Sequence, residues 1–147
     1  MPDNDEIDRR IVAALRRDSR ISNADLAAQV GLSPSSCWRR TRALEERGAI
    51  RRYTIDLDDA AIGLTFKAIV HVQMTRHDQG LVKEFIRMIG TKDEVRACYA
   101  TTGTSDYHLH VVCRDLDAYN RFLEDFLFRI PAVASAQTNL VLRTIKD

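Results

Sequence analysis

The chain has 147 residues, with 22 Lys plus Arg against 21 Asp plus Glu, 45% hydrophobic and 29% charged side chains. That length suits one ordinary domain or two small ones, and the apolar content excludes disorder and collagen-like repeats. A net charge of +1 excludes blanket polyanion binding, so a nucleic-acid surface has to be local. The longest charge-free stretches, 26–38 and 130–142, contain Pro and polar residues, whereas a bilayer span needs ~20 apolar residues. The acidic start (Asp3, Asp5, Glu6) lacks the basic and apolar regions of a secretory leader. Cys37, Cys98 and Cys113 are scattered and odd in number, which fits neither a disulfide framework nor a zinc ribbon. The expectation is a soluble cytoplasmic protein with no membrane partner and no cofactor.

In chain order, Ile7, Ile11, Val12 and Leu15 recur at helical spacing and predict a helix from about Ile7 to Asp18. Ser22 followed by Asp25 resembles a capping box and opens a short second helix carrying Leu26, Ala27 and Val30. Gly31 suits the left-handed position that ends it. Ser33-Pro34 then starts a third helix, Ser as N-cap and Pro in the first turn, with Cys37, Thr41 and Leu44 inward and Gly48 as its stop. Small Ala27 lets two helices cross closely, and the third projects from the body. This is helix-turn-helix logic, in which the second helix of the motif enters the major groove.

The charges agree with that placement. Residues 1–56 hold 11 arginines, no lysine and 9 acids, whereas 57–147 hold 11 basic and 12 acidic side chains. Between Ser33 and Tyr53 stand six arginines against Glu45 and Glu46, a local +4. Arginine's planar fork binds phosphates and guanine edges bidentately. Ser33, Ser35, Ser36, Arg39, Arg40 and Arg42 are therefore the expected DNA-reading residues. Ile50 to Leu57 alternates as a strand or small wing would, and places Arg51 and Arg52 as phosphate contacts. Trp38, beside them, either stacks on a sugar or thymine methyl or, as such residues more commonly do, packs on a neighbouring helix.

Residues 58–65 read as a connector between a unit at 1–57 and one at 66–147. The second half runs strand (66–74), helix (80–89), strand (95–102), strand (107–113), helix (116–129), strand (133–143). That βαββαβ order is the ferredoxin-like split unit, so the fold class is α+β. Val82, Phe85, Ile86 and Ile89 echo Tyr119, Phe122, Leu123 and Phe126, each set predicted to cover one side of the sheet. The other side is left open for a second copy. His71, His108 and His110 alternate onto that open side, yet no Cys or carboxylate completes a metal set, so no metal is expected. Cys98 and Cys113 read as buried packing residues on adjacent strands. Without a Ser/His/Asp or Cys/His pairing, a phosphate loop or a metal motif, an enzyme is not expected.

Two features together carry a resemblance. One is Ile7-Asp8-Arg9-Arg10-Ile11, then Asp18-Ser19-Arg20-Ile21-Ser22, Leu26-Ala27-Ala28-Gln29-Val30-Gly31-Leu32-Ser33-Pro34, Leu44-Glu45 and Gly48-Ala49-Ile50. The other is the βαββαβ half with Gly103-Thr104-Ser105-Asp106-Tyr107. Over nearly its whole length the chain resembles the Lrp/AsnC (leucine-responsive, feast-famine) transcription regulators. The resemblance implies a winged helix-turn-helix followed by a module that dimerises and binds small effectors, commonly amino acids, with dimers assembling into octamers or other closed rings. In the family the loop before the third strand usually reads Gly-Asp-aromatic-Asp-aromatic. Here Gly103, Asp106 and Tyr107 match, while Thr104 and Ser105 depart. Asp106 would then accept an effector's ammonium, and Thr101, Thr102, Thr104 and backbone N–H groups near Gly103 would serve its carboxylate. A plain hairpin turn explains the same residues. An effector-independent, DNA-wrapping architectural protein is the alternative function.

Overall fold

A computed structural model describes residues 6–75 and 78–146, so Asp3 and Asp5 of the acidic start lie outside the described residues. Its contacts divide the chain into two compact units, 1–56 and 57–147. The first unit holds α1 (Glu6–Arg17), α2 (Asn23–Val30) and α3 (Pro34–Glu46). Ile11, Leu26, Ala27, Val30, Cys37 and Leu44 form its buried core, with Ile7, Val12 and Leu15 packed at the edge. These are the apolar positions of the 3.6-residue pattern, and their removal from water is what holds three short helices together.

Local chemistry sets each boundary. Ser22 Oγ accepts from Asp25 N at 3.1 Å and donates to the Asp25 carboxylate at 2.6 Å. The shorter Asp thus closes the box on the Ser hydroxyl instead of on its backbone N–H. Gly31 adopts φ 74° and ψ 37°, and Leu32 N donates to Ala27 O, so α2 ends in a left-handed cap. Ser33 caps α3 through Ser36 N, with Pro34 at its start. Gly48 takes φ 74° just past the other end of α3.

In the second unit, β1 (Phe66–Met74), β2 (Val95–Ala100), β3 (Tyr107–Cys113) and β4 (Val133–Leu140) form an antiparallel sheet ordered β2-β3-β1-β4. This is the ferredoxin-like arrangement. Helix α4 (Gln79–Ile89) and α5 (Leu116–Arg121) lie between its strands in the sequence, and their apolar side chains share one core with the sheet. Ala68, Val70, Val72, Leu109 and Val111 alternate into that core beside Phe85, Tyr119 and Leu127. The intervening His71, His108 and His110 take the opposite face, as period-two alternation requires. The stretch 58–65 is not a free connector. Asp59 pairs with Lys67 at 2.8 Å and Arg96 at 3.6 Å, and Thr65 Oγ1 donates to Arg114 O.

Several expectations are corrected. Residues 50–57 form no strand: Ile50 N donates back to Leu44 O at the end of α3, and among the described residues no hydrogen-bonded neighbour runs beside 51–57. The last helix is α-helical only to Arg121, then widens into a π turn at Phe122–Phe126 and tightens into a 3₁₀ turn at Leu127–Arg129. Phe122, Leu127 and Ile130 are buried along this stretch. Strand β2 stops at Ala100 and β4 at Leu140, although one more backbone hydrogen bond follows each, from Thr101 N to Asp106 O and from Val141 N to Lys67 O. Ile86 is 54% exposed, whereas Phe85 and Ile89 of the same helix are buried. Cys113 is buried, but Cys98 sits exposed on edge strand β2 rather than packed inside.

Candidate nucleic-acid interface and effector loop

The candidate recognition surface is the N-terminal half of α3. Its cap places the serines at the helix start, where unpaired backbone N–H groups and the helix dipole favour phosphate. Ser33 Oγ accepts from Ser36 N at 3.3 Å and donates to Ser36 Oγ at 3.0 Å, so both hydroxyls serve the helix in the free chain. Ser35 is exposed, within 3.3 Å of Ser33 Oγ. Arg39 is exposed one turn further on and, among the described residues, has no ion-pair partner. The same holds for Arg51 and Arg52 on the extended segment.

The remaining arginines of the group divide differently. Arg42 Nη1 lies 3.1 Å from Glu45 and its Nε 3.4 Å from Glu46. Such exposed pairs contribute only ~0–1 kcal/mol, and a phosphate can displace them. Glu45 also accepts from Tyr53 Oη at 2.8 Å, tying the extended segment to α3. Burial, with help from that carboxylate, pushes the Tyr53 phenol up to about 12. Arg40 does not join the outer face. Its Nη1 lies 3.0 Å from Asp8 Oδ1, while Arg47 Nη2 lies 2.7 Å from Asp8 Oδ2. Asp8 is 7% exposed, in the first turn of α1. Its apolar-stripe position, three residues before Ile11 and four before Val12, was the sequence signal for this inward carboxylate. Trp38 is 60% exposed and walls a groove of about 300 Å³ with Leu15 and Tyr53, so it is not the packed residue expected. An indole that exposed can stack on a sugar or meet a thymine methyl.

In the second unit, residues 101–106 join β2 to β3. Gly103 takes φ 126°, a conformation that glycine adopts freely. Thr101 N donates to Asp106 O at 3.0 Å, and Thr101 Oγ1 donates to Ser105 O at 3.1 Å. Gln73 Nε2 donates to Thr104 O at 2.7 Å. The half-buried Asp106 carboxylate accepts from Met74 N at 2.7 Å through Oδ2, where β1 shifts register. Thr101, Thr102, Gly103 and Thr104 are exposed. One Asp106 oxygen and the Thr101 hydroxyl proton are thus already engaged by the turn.

Behind this loop, His71 and His108 pair across β1 and β3, their rings edge-to-face at 4.5 Å, and His71 Nε2 meets the Asn139 amide at 2.9 Å. Among the described residues no group of three His, Cys, Asp or Glu is disposed to hold a metal ion. No helix among them is long and apolar enough to cross a membrane.

The geometry can be set against known proteins. Residues 4–51 match the model for a winged helix-turn-helix DNA-binding domain, and 67–147 match the Lrp/AsnC ligand-binding domain. The chain belongs to the Lrp/AsnC family. Among its relatives, the HTH-type transcriptional regulator AldR of Mycolicibacterium smegmatis is 39% identical, covering 98% of this chain and 84% of its own. The leucine-responsive regulatory protein of Escherichia coli is 33% identical, covering 99% and 88%. A Neisseria meningitidis transcriptional regulator solved as its L-Met complex superposes with a TM-score of 0.92 at 33% identity, covering 97% and 92%. This Lrp/AsnC chain is accordingly a DNA-binding transcriptional regulator and not an enzyme, with a winged helix-turn-helix before an α+β ligand-binding domain.

Proposed function

We propose that this regulator reads a specific duplex sequence through α3 and adjusts its assembly and DNA affinity to a small effector, an amino acid. The carrying observation is Arg39, exposed on the N-terminal half of a Ser33-capped helix and without an ion-pair partner among the described residues, with Arg51 and Arg52 exposed beyond it. In this reading Ser33, Ser35, Ser36, Arg39 and Arg42 face the groove, and Arg51 and Arg52 hold phosphates. Arg40 is left out because its guanidinium is spent on Asp8.

The effector part is supported by the ligand-binding-domain match and by the L-Met complex of the Neisseria relative. Thr101, Thr102, Gly103, Thr104 and Asp106 would form one rim of the site, with a second copy supplying the rest. The chain would act as a homodimer, with octamers as the larger assembly, in the cytoplasm. An effector that binds one assembly better shifts the population toward it, and with it the spacing of the two recognition helices. A thermal-shift screen of the twenty amino acids tests this, because a ligand that binds only the folded state raises its apparent stability. At least one amino acid should raise Tm and change affinity for a DNA duplex selected from a random pool.

A second reading keeps the DNA binding and drops the effector, leaving an architectural protein that wraps DNA around an oligomer. The turn bonds that already occupy Asp106 and Thr101 favour it. A flat response to every amino acid would establish it over the first.

A further inference from the structure

Asp8 gives one oxygen to each of two arginines about two turns apart along α3, Arg40 within the helix at 3.0 Å and Arg47 at its C-cap at 2.7 Å. Two anchor points at that spacing fix the roll of a helix as well as its position, since a rotation about its axis breaks both contacts. The roll decides which α3 side chains point outward, namely Ser35, Arg39 and Arg42. The charge count has a second consequence. Six arginines stand between Ser33 and Tyr53. The nearly buried Asp8 holds two of them back, while Glu45 and Glu46 loosely engage Arg42. Arg39, Arg51 and Arg52 remain. Non-specific affinity follows the number of cations that can reach phosphates, each changing the salt slope by ~0.9. Specificity is the difference between the two affinities.

We propose that Asp8 is a specificity-determining positioning residue: it sets the roll of the reading helix and withholds Arg40 and Arg47 from the DNA backbone. This rests on the assignment of α3 as the reading helix.

The test uses the full chain, a duplex selected from a random pool by the wild-type protein, and a scrambled duplex of equal length, each titrated across a salt series. Asp8→Asn keeps the shape and removes the charge. On scrambled DNA its salt slope should steepen by roughly 1 to 2, and its selected-to-scrambled affinity ratio should fall about tenfold. The triple variant Asp8→Asn/Arg40→Met/Arg47→Met replaces the ion triad with nearly isosteric neutral groups, a change such triads commonly tolerate. It should restore the wild-type slope. A folded Asp8→Asn protein with unchanged slope and ratio overturns the proposal. If Asp8→Asn does not fold, the triple variant decides: a slope shallower than wild type by about 1 or 2 means Arg40 and Arg47 do touch phosphates. Arg39→Ala tests the underlying assignment separately, because an unchanged ratio there removes α3 as the reader whatever Asp8 does.

Discussion

The two units use their polar side chains in opposite proportions. In the helical unit the fold takes Ser33, Arg40 and Arg47 for caps and ion pairs, yet Arg39, Arg51 and Arg52 stay exposed and, among the described residues, without an ion pair. In the sheet unit the loop at 101–106 has most of its named groups tied down: Asp106 to Met74, Thr101 to Ser105, the Thr104 carbonyl to Gln73. An exposed guanidinium with no partner loses little by meeting a phosphate. A carboxylate already accepting a backbone N–H can bind an ammonium only with its remaining lone pairs. Residue type proposes a role, and prior commitments decide whether the side chain can fill it.

The largest expected effects test whether the two cores are separate. Leu44→Ala and Leu109→Ala each remove a fully buried side chain and should cost about 2–5 kcal/mol. Limited proteolysis should show new cleavage only in the unit that carries the change. Equal cleavage of both units by either variant would break the division after Asp56.

Next comes the loop. Asp106→Asn keeps an acceptor for Met74 N but removes the negative charge. It should melt like wild type without ligand and lose the amino-acid stabilisation, ~2.7 kcal/mol when the ligand is at a hundred times its Kd. Retained stabilisation would assign Asp106 to the turn alone.

For the helical unit, Arg39→Ala should lower discrimination by about 1–3 kcal/mol, read as the affinity difference between selected and scrambled duplexes. Arg51→Ala should instead weaken both duplexes alike and reduce the salt slope by ~1. If Arg51→Ala proves as selective as Arg39→Ala, the split between reading and holding arginines fails.

The smallest effect concerns Asp59. Its hydrogen bond to Lys67 holds its carboxyl below the ordinary 3.8, with Arg96 and His110 adding to the pull. A depressed native value means stability that is present above 3.8 and lost as pH falls through the native value. The Tm gap between wild type and Asp59→Asn should therefore stay at its widest above pH 3.8 and close as pH falls through the native value. A constant gap down to pH 2 would show that the Lys67 contact contributes no charge-dependent stability.

Much of this was legible in local patterns. The caps at Ser22 and Ser33, the left-handed Gly31 and the strands at 66–74 and 107–113 follow from neighbours a few residues apart, and the structure has them. The single predicted helix at 116–129 fails because the backbone changes pitch along it, to a π turn at Phe122–Phe126 and a 3₁₀ turn at Leu127–Arg129, and apolar spacing does not announce such a change. At 50–57 the alternation is real, but a strand also requires a neighbour that a one-chain pattern cannot supply.

By itself, then, the sequence determined which segments are helices and strands, where most of them stop and that positive charge gathers between Ser33 and Tyr53. Those properties arise from short-range sterics, capping and periodicity. Only the tertiary structure decided which of those arginines enter ion pairs and which stay exposed. Asp8 reaches partners 32 and 39 residues away, and Met74 N reaches an Asp106 carboxylate 32 residues on. Pairings at that separation depend on how helices and strands pack, so composition could count the charges without saying which were already taken.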